Sequence, residues 1–374
     1  MRLLFTTAPL SGHLFPMVPL AWAARAAGHE VLLATTENFV TTVLSTGLPA
    51  VSWGPATDFV DMVADEPPVC ADNLARRRHA HGRAFGRIAR RCLPGAAKIM
   101  RAWQPDLVVC ERAEFAGPIA AAKHDVPYVA FHWGVPELEE YRTAATGELA
   151  NIPGFGALPT PVETLNPWPP GMRLPHAAAH HGMRAVAYNG TAWLPEWLLR
   201  PARRPRVCVT FGTLLPRVAA LGLRGAVAPM LARLAGLGVE LCLAVDDDVL
   251  AQWPELAEPA TVAGRMPLGQ VLPTCDVIVN HGGQGTILTA LATGCPQLVL
   301  PHMDDQFDNA EAVVKAGAGM SLSFDEFTPA LVTERCETLL GESGFGRVAA
   351  GVAMEIAAQP SPVETVDLLV RLAA

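Results

Sequence analysis

The sequence predicts an α/β protein of two similar halves, each a parallel sheet covered on both faces. Three observations predict it. Continuously apolar runs such as RLLFTT, DLVVCE, RVCVTF and DVIVNH alternate with helical segments, the pattern of strands buried on both sides. The order strand, loop, glycine-terminated helix, strand occurs twice, from RLLFTTAPLSGH to EVLLAT and from RVCVTFGTLLP to VELCLAV. Between the two copies regularity lapses in LPEWLLRPARRP, Leu194 to Pro205, a Pro- and Arg-rich stretch suited to a domain boundary.

The elements follow in order. RLLFTT is a first strand, because one Arg, a short apolar run and then Pro and Gly lack the long apolar core and cleavage site of a signal peptide. FPMVPLAWAARAAGH is a helix that closes on Gly28, a residue suited to a helix stop. PDLVVCE, AGPIAAAKHD and VPYVAFH add a further strand–helix–strand unit. After the boundary come AVAPMLARLAGLG as helix, VELCLAV as strand, and then CDVIV, its helix and CPQLVLP. PVETVDLLVRLAA, beyond Pro360, is a separate amphipathic terminal helix. The expected domains are 1–195, 206–359 and a terminal helix at 360–374.

Composition narrows the class. At 374 residues the chain exceeds one ordinary domain, and 51% apolar with 17% charged residues argues for a large core and against disorder. A net charge of −8 gives no reason to expect a nucleic-acid partner. Eight cysteines are scattered with no C-x-x-C pair, which reads as reduced, buried thiols in a cytoplasmic protein. No run of eighteen uncharged apolar residues suggests a membrane span.

One turn carries most of the chemistry. NHGGQGTILTALATG, 280–294, lies between the apolar run CDVIV and a helical pattern ending at Gly294. A turn there sits at the carboxyl edge of a parallel sheet, where ligands of open α/β sheets bind. Glycines let backbone N–H groups approach an anion, and the helix start adds about half a positive charge. Thr286 offers a hydroxyl and His281 a ring N–H or a full positive charge. The lysine of a nucleoside-triphosphatase loop is absent, and so is the G-x-G-x-x-G fingerprint. The turn alone says diphosphate. The next strand end, PHMDDQFDNA, adds Asp305, Gln306 and Asn309 on the same edge; a carboxylate beside an amide suits the vicinal hydroxyls of a sugar.

Three other features weigh less. RRRHAHGRAFGRIARR, 76–91, holds seven arginines and reads as a solvated helix face, with a mobile lid beside an acceptor site as the sharper alternative. His176 and His180 stand at helical metal-ligand spacing but lack a partner Cys or carboxylate, so no metal site is expected. Asp246–Asp248 follows a strand and precedes VLAQW, which suits capping of the next helix.

Taken together, these residues resemble glycosyltransferase family 1, the GT-B nucleotide-sugar transferases, and most nearly the actinobacterial enzymes that glycosylate antibiotics and other natural products. The stretches that carry the resemblance are GHLFPMVPLAWAARAAGHEV, VAYNGTAWLPEWL, VCVTFGT, PLGQVLPTCDVIVNHGGQGT, ALATGCPQLVLP and DDQFDNA. They run through both halves and span essentially the whole chain. The resemblance implies two Rossmann-like domains facing across a cleft, with the C-terminal helix crossing back to the N-terminal domain. It implies that Thr213, His281, Gly283, Gln284, Gly285 and Thr286 hold the donor diphosphate, and that Asp305 and Gln306 hold the sugar. Arg265 and Met266 fall at the nucleobase, where a tryptophan often stacks; arginine can stack too. His13 in SGHLFP is similar to the family's general base. Its orienting acid falls to Glu111, where aspartate is usual, with Glu114 as the second candidate.

Elementary chemistry agrees with what is implied. A histidine paired with a carboxylate is a base near neutral pH. With a base and no evident nucleophilic carboxylate, single displacement with inversion is the simplest mechanism, the leaving diphosphate being neutralised by the turn instead of a metal. No cofactor or metal is expected. The expected partners are a small-molecule nucleotide-sugar donor, which the resemblance implies to be a dTDP-deoxysugar, and a hydrophobic aglycone; a homodimer is compatible with the sequence. Trp53, Phe59, Met62 and Phe85, between Trp53 and Arg91, are expected to help line the acceptor site. Two rivals are a nucleotide-sugar 2-epimerase of the same architecture and a non-catalytic nucleotide-sugar-binding partner of another transferase.

Overall fold

The protein is described by a computed structural model over residues 1–64, 73–212, 220–323 and 325–374. Cys70 and the diphosphate candidate Thr213 lie outside the described residues. The first sheet contains β1 (Arg2–Thr6), β2 (Glu30–Thr36), β3 (Ala50–Gly54), β4 (Leu107–Glu111), β5 (Tyr128–Phe131), β6 (Glu163–Asn166) and β7 (His181–Gly182), in the order β3-β2-β1-β4-β5-β6-β7. The second contains β8 (Arg206–Thr210), β9 (Glu240–Ala244), β10 (Val262–Gly264), β11 (Val277–Asn280), β12 (Gln297–Val299) and β13 (Gly319–Ser321), in the order β10-β9-β8-β11-β12-β13. Every pairing is parallel.

The runs read as strands form these central strands because both of their faces are covered. Every residue of β4, β8 and β11 is buried. In each sheet the strand order reverses at one pair, β1/β4 and β8/β11, and chains leaving such a pair part to opposite faces and open a crevice. The pairs end level, Thr6 beside Cys110 and Thr210 beside Asn280. His13 and Glu111 leave the first crevice; Gly212 and His281 leave the second.

The two domains share a core. Val135, Trp168 and Met172 of the first half pack with Ile287, Leu288, Leu291, Val352 and Ile356 of the second. The terminal helix Pro362–Leu372 opens with a capping box between Ser361 and Glu364. It buries Val366 and Leu369 among Leu3, Phe5, Met17 and Val18, each side chain contributing about 1.5–3 kcal/mol. It therefore crosses back onto the N-terminal domain. The seven described cysteines are free, and all but Cys275 are buried.

Three expectations need correction. The arginine-rich stretch is not simply a solvated face: it belongs to the helix Leu74–Trp103, on which Arg78 is buried and Arg77 and Arg78 form ion pairs with the other domain. The acids that neutralise them arrive from far along the chain. His176 and His180 do not share a helix; His176 lies in the single 3-10 turn Pro175–Ala177 and His180 just before β7. Their rings gather with His132, at 5.8 and 4.9 Å, and among the described residues no group of three or more His, Cys, Asp or Glu is arranged to hold a metal. Asp246 stands at the N-cap of Asp247–Gln252 without a side-chain cap bond; instead its carboxylate lies 3.7 Å from Arg265.

Candidate active site

His13 sits in the short helix Ser11–Leu14 that leaves β1. Its Nδ1 faces Glu111 Oε1 at 3.0 Å. Glu111 ends β4, and its two oxygens also accept from Ala8 N (3.2 Å), Ala113 N (2.8 Å) and Trp133 Nε1 (2.7 Å). Burial works against ionisation of this carboxyl, but the His13 charge and these hydrogen bonds outweigh it and hold Glu111 below its usual range. A carboxylate that fixes Nδ1–H leaves the other ring nitrogen as acceptor. Glu114 does not take this place. Its oxygens accept from Thr6 Oγ1, Ala116 N and Gly117 N, and burial pushes it up to about 7.

Aromatic side chains surround the base. Trp133 lies 4.4 Å and Phe85 5.4 Å from the His13 ring, and Phe59 stacks on Phe85 at 4.6 Å. Of the four residues expected at the acceptor side, Phe59 and Phe85 thus reach the base or its neighbour. Trp53 and Phe85 line a narrow cavity with Ile88 and Phe115, while Met62 is packed in the domain core.

The second wall is the turn after β11. Asn280, fully buried, accepts from Gly282 N at 2.8 Å and so sets the turn. The His281 ring lies between two glycines: a Cβ on Gly212 would come within 2.5 Å of it and one on Gly283 within 2.4 Å. Burial, with the neighbouring His302, lowers His281 to about 4, so of the two expected contributions the ring brings an N–H near pH 7 and not a full charge. The helix Gln284–Ala292 begins at Gly283 with no side-chain cap, which leaves its first N–H groups for a ligand. Gly285 is exposed there and Thr286 is largely buried. Gln284 Oε1 accepts from Gly134 N (2.6 Å) and Trp168 Nε1 (2.7 Å) of the other domain. His281 Nδ1 and Gln284 Nε2 are buried without partners. Two unsatisfied polar groups on one turn, beside a helix start, fit an anionic ligand with several acceptor oxygens.

Asp305 opens the helix Asp305–Ala316. Its Oδ2 accepts from Asn309 Nδ2 at 2.7 Å, and burial raises the carboxyl to about 6 while the His13 charge pulls it the other way. The side chain crosses the cleft to Gly134, where an added Cβ would meet the Asp305 Cβ at 3.0 Å and its Oδ2 at 3.2 Å; φ of +71° at Gly134 also requires glycine. Gln306 Oε1 is occupied by His302 N and Met303 N, so only its amide nitrogen is left for a sugar. Arg265 is partly exposed and lies against Gly190. Met266 is buried with Cys208, Cys242 and Leu268, so its main chain, not its side chain, is available to a base.

Sequence reasoning missed Trp133, Gly134, Trp168 and Asn280. The pair Trp133–Gly134, directly after an apolar strand, is the one local sign that a close approach occurs there.

Comparison with known proteins places this geometry. Two family models match, described as the N-terminal (residues 22–212) and C-terminal (residues 228–372) domains of erythromycin biosynthesis protein CIII-like proteins. The L-demethylnoviosyl transferase of Streptomyces niveus is 38% identical over 374 aligned residues, covering 97% of this chain and 96% of that protein. Glycosyltransferase SsfS6 of Streptomyces sp. SF2575, solved with thymidine diphosphate, matches with TM-score 0.85 and 32% identity, covering 99% of each chain. Spinosyn rhamnosyltransferase SpnG, solved with spinosyn aglycone, matches with TM-score 0.83 and 29% identity over 99% of this chain and 100% of that one. Two parallel-sheet domains joined across a cleft are the architecture these glycosyltransferases share with it. The chain belongs to the erythromycin biosynthesis protein CIII-like family of GT-B glycosyltransferases of antibiotic pathways.

Proposed function

We propose that this glycosyltransferase moves a deoxysugar from a thymidine diphosphate (dTDP) donor to a hydroxyl of a hydrophobic aglycone, with inversion and without a metal. One observation supports this above the rest: the His13–Glu111 pair, ringed by Phe85 and Trp133, faces Asp305 and the unsatisfied His281–Gln284 turn across one cleft. His13, its Nδ1 tied to Glu111, takes the acceptor proton on Nε2 as the hydroxyl oxygen attacks the anomeric carbon. Asp305 orients the sugar by accepting from its hydroxyls. The anomeric C–O bond breaks with its electron pair staying on the diphosphate oxygen, whose charge is stabilised by donors from His281, Gln284 Nε2 and the open helix start, which take the place a metal would fill. Gly283, Gly285 and Thr286 complete the diphosphate site, and Arg265 with the main chain of Met266 forms the base site.

The relatives support the substrate classes, since one was solved with thymidine diphosphate and another with an aglycone. The test is a matrix of dTDP-deoxysugars and polyketide or aromatic aglycones in excess EDTA, with product configuration read by NMR. The expected result is a glycoside of inverted anomeric configuration with turnover unaffected by EDTA. A retained configuration, or turnover that EDTA abolishes and magnesium restores, overturns the mechanism.

A further inference from the structure

Asp304, directly before the proposed sugar carboxylate, has φ +34° and ψ −104°, a conformation a non-glycine residue keeps only when its surroundings impose it. Those surroundings belong to the other domain. The Asp304 carboxylate accepts from the Tyr141 hydroxyl and is bonded to His81 Nδ1, while Arg77 Nε lies 3.4 Å away. The Asp304 carbonyl accepts from Arg78 at 2.8 Å, and the same Arg78 nitrogen reaches Asp308 at 2.5 Å. Arg78, His81, Tyr141 and Asp304 are all buried. Burial of the carboxyl resists ionisation, yet the bonds from His81 and Tyr141 and the charges of His81 and Arg77 hold it below its usual range.

Arg77, Arg78 and His81 lie on the helix Leu74–Trp103, and Phe85 follows one turn later on the same stripe. Phe85 touches His13 at one edge and Tyr141, at 5.5 Å, at the other. One helix therefore forms the wall beside the base and clamps the loop that carries Asp305.

We propose that Asp304 is a positioning residue: His81, Tyr141 and Arg78 hold it so that Asp305 is pressed against Gly134 within reach of a sugar in front of His13. The consequence for catalysis rests on the reading of Asp305 as the sugar carboxylate. The clamp itself does not. Because misplacing a reacting group by about 1 Å costs on the order of 100-fold, loss of the clamp should lower kcat by about that factor and leave diphosphate affinity nearly intact.

The experiment compares wild type with Asp304→Ala and with Tyr141→Phe, which removes one hydroxyl and guards against misfolding of the first variant. Hydrogen exchange without substrate reads the clamp; calorimetry reads dTDP affinity; kinetics separate kcat from KM. The expected result is about tenfold faster exchange in both 303–310 and 74–82, kcat down about 100-fold for Asp304→Ala and about tenfold for Tyr141→Phe, and dTDP affinity within about threefold. Unchanged exchange in 74–82, or unchanged kcat, overturns the proposal, as does a dTDP affinity that falls in parallel with kcat. If the wild type transfers no sugar, the functional reading fails, and exchange alone still decides whether the clamp exists.

Discussion

Glu111 Oε1 lies 3.0 Å from His13 Nδ1, and Glu111 has little freedom to move away. Its oxygens meet Ala8 N and His13 on one side, and Ala113 N and Trp133 Nε1 on the other. A glutamate in this position is as firmly held as a shorter acid would be, since every partner is a donor and two of them are backbone.

Glu111→Gln tests this arrangement. The amide keeps the size but must turn an NH2 group toward backbone or ring donors, which breaks the set and frees the His13 tautomer. Transfer should fall by about 10²-fold or more, with dTDP affinity unchanged because no Glu111 atom faces the diphosphate turn. Initial rates and calorimetry check it; full activity in the variant would show that His13 needs no acid partner.

Gly283→Ala should reproduce His281→Ala. The added Cβ would lie 2.4 Å from His281 Nε2 while φ at Gly283 is −64°, so the backbone accepts alanine and the ring must move. Both variants should weaken dTDP by about 10- to 150-fold, the worth of one hydrogen bond to a charged group. His13→Ala should leave dTDP affinity as it is. Normal dTDP binding by His281→Ala would make the turn a structural one.

Gln284→Glu separates the two jobs of one side chain. Glutamate keeps an oxygen for Gly134 N and Trp168 Nε1 but replaces the buried Nε2 donor with a negative charge beside the diphosphate. The melting temperature should change little and dTDP affinity should drop by about 100-fold or more, since a donor to a charged group is lost and a like charge gained. Equal dTDP binding by both proteins would remove Gln284 from the site.

What the sequence showed and hid follows from chain distance. The 280–286 turn was legible because strand, glycines and helix are contiguous, and the two sheets because their βαβ units recur. The edge strands β7 and β10, two and three residues long, are too short to show a period. Arg78 looks solvated from sequence because its own segment holds no acid; Asp308 lies 230 residues away. Trp168 meets Gln284 across 116 residues, and His81 meets Asp304 across 223. No local pattern encodes such pairs. They form only when the domains close, and they supply much of what surrounds Asp305.

Asp305 links stability and function through pH. Burial raises its carboxyl from an ordinary value of 3.8 to about 6. A carboxyl raised by folding contributes stability that is fully present below 3.8 and lost as pH rises through about 6. Ionised Asp305 is therefore a strain on the ligand-free fold at neutral pH, although it is the form that accepts from sugar hydroxyls. Asp305→Asn keeps the shape and cannot ionise. Its melting temperature, relative to wild type, should rise steadily between about pH 4 and pH 6 and level off near pH 7. The same variant should retain dTDP affinity and lose donor-sugar turnover by about 10- to 150-fold. Thermal scans of both proteins across this range decide the matter: a difference in melting temperature that stays flat with pH would mean that Asp305 is as well solvated as an ordinary surface acid.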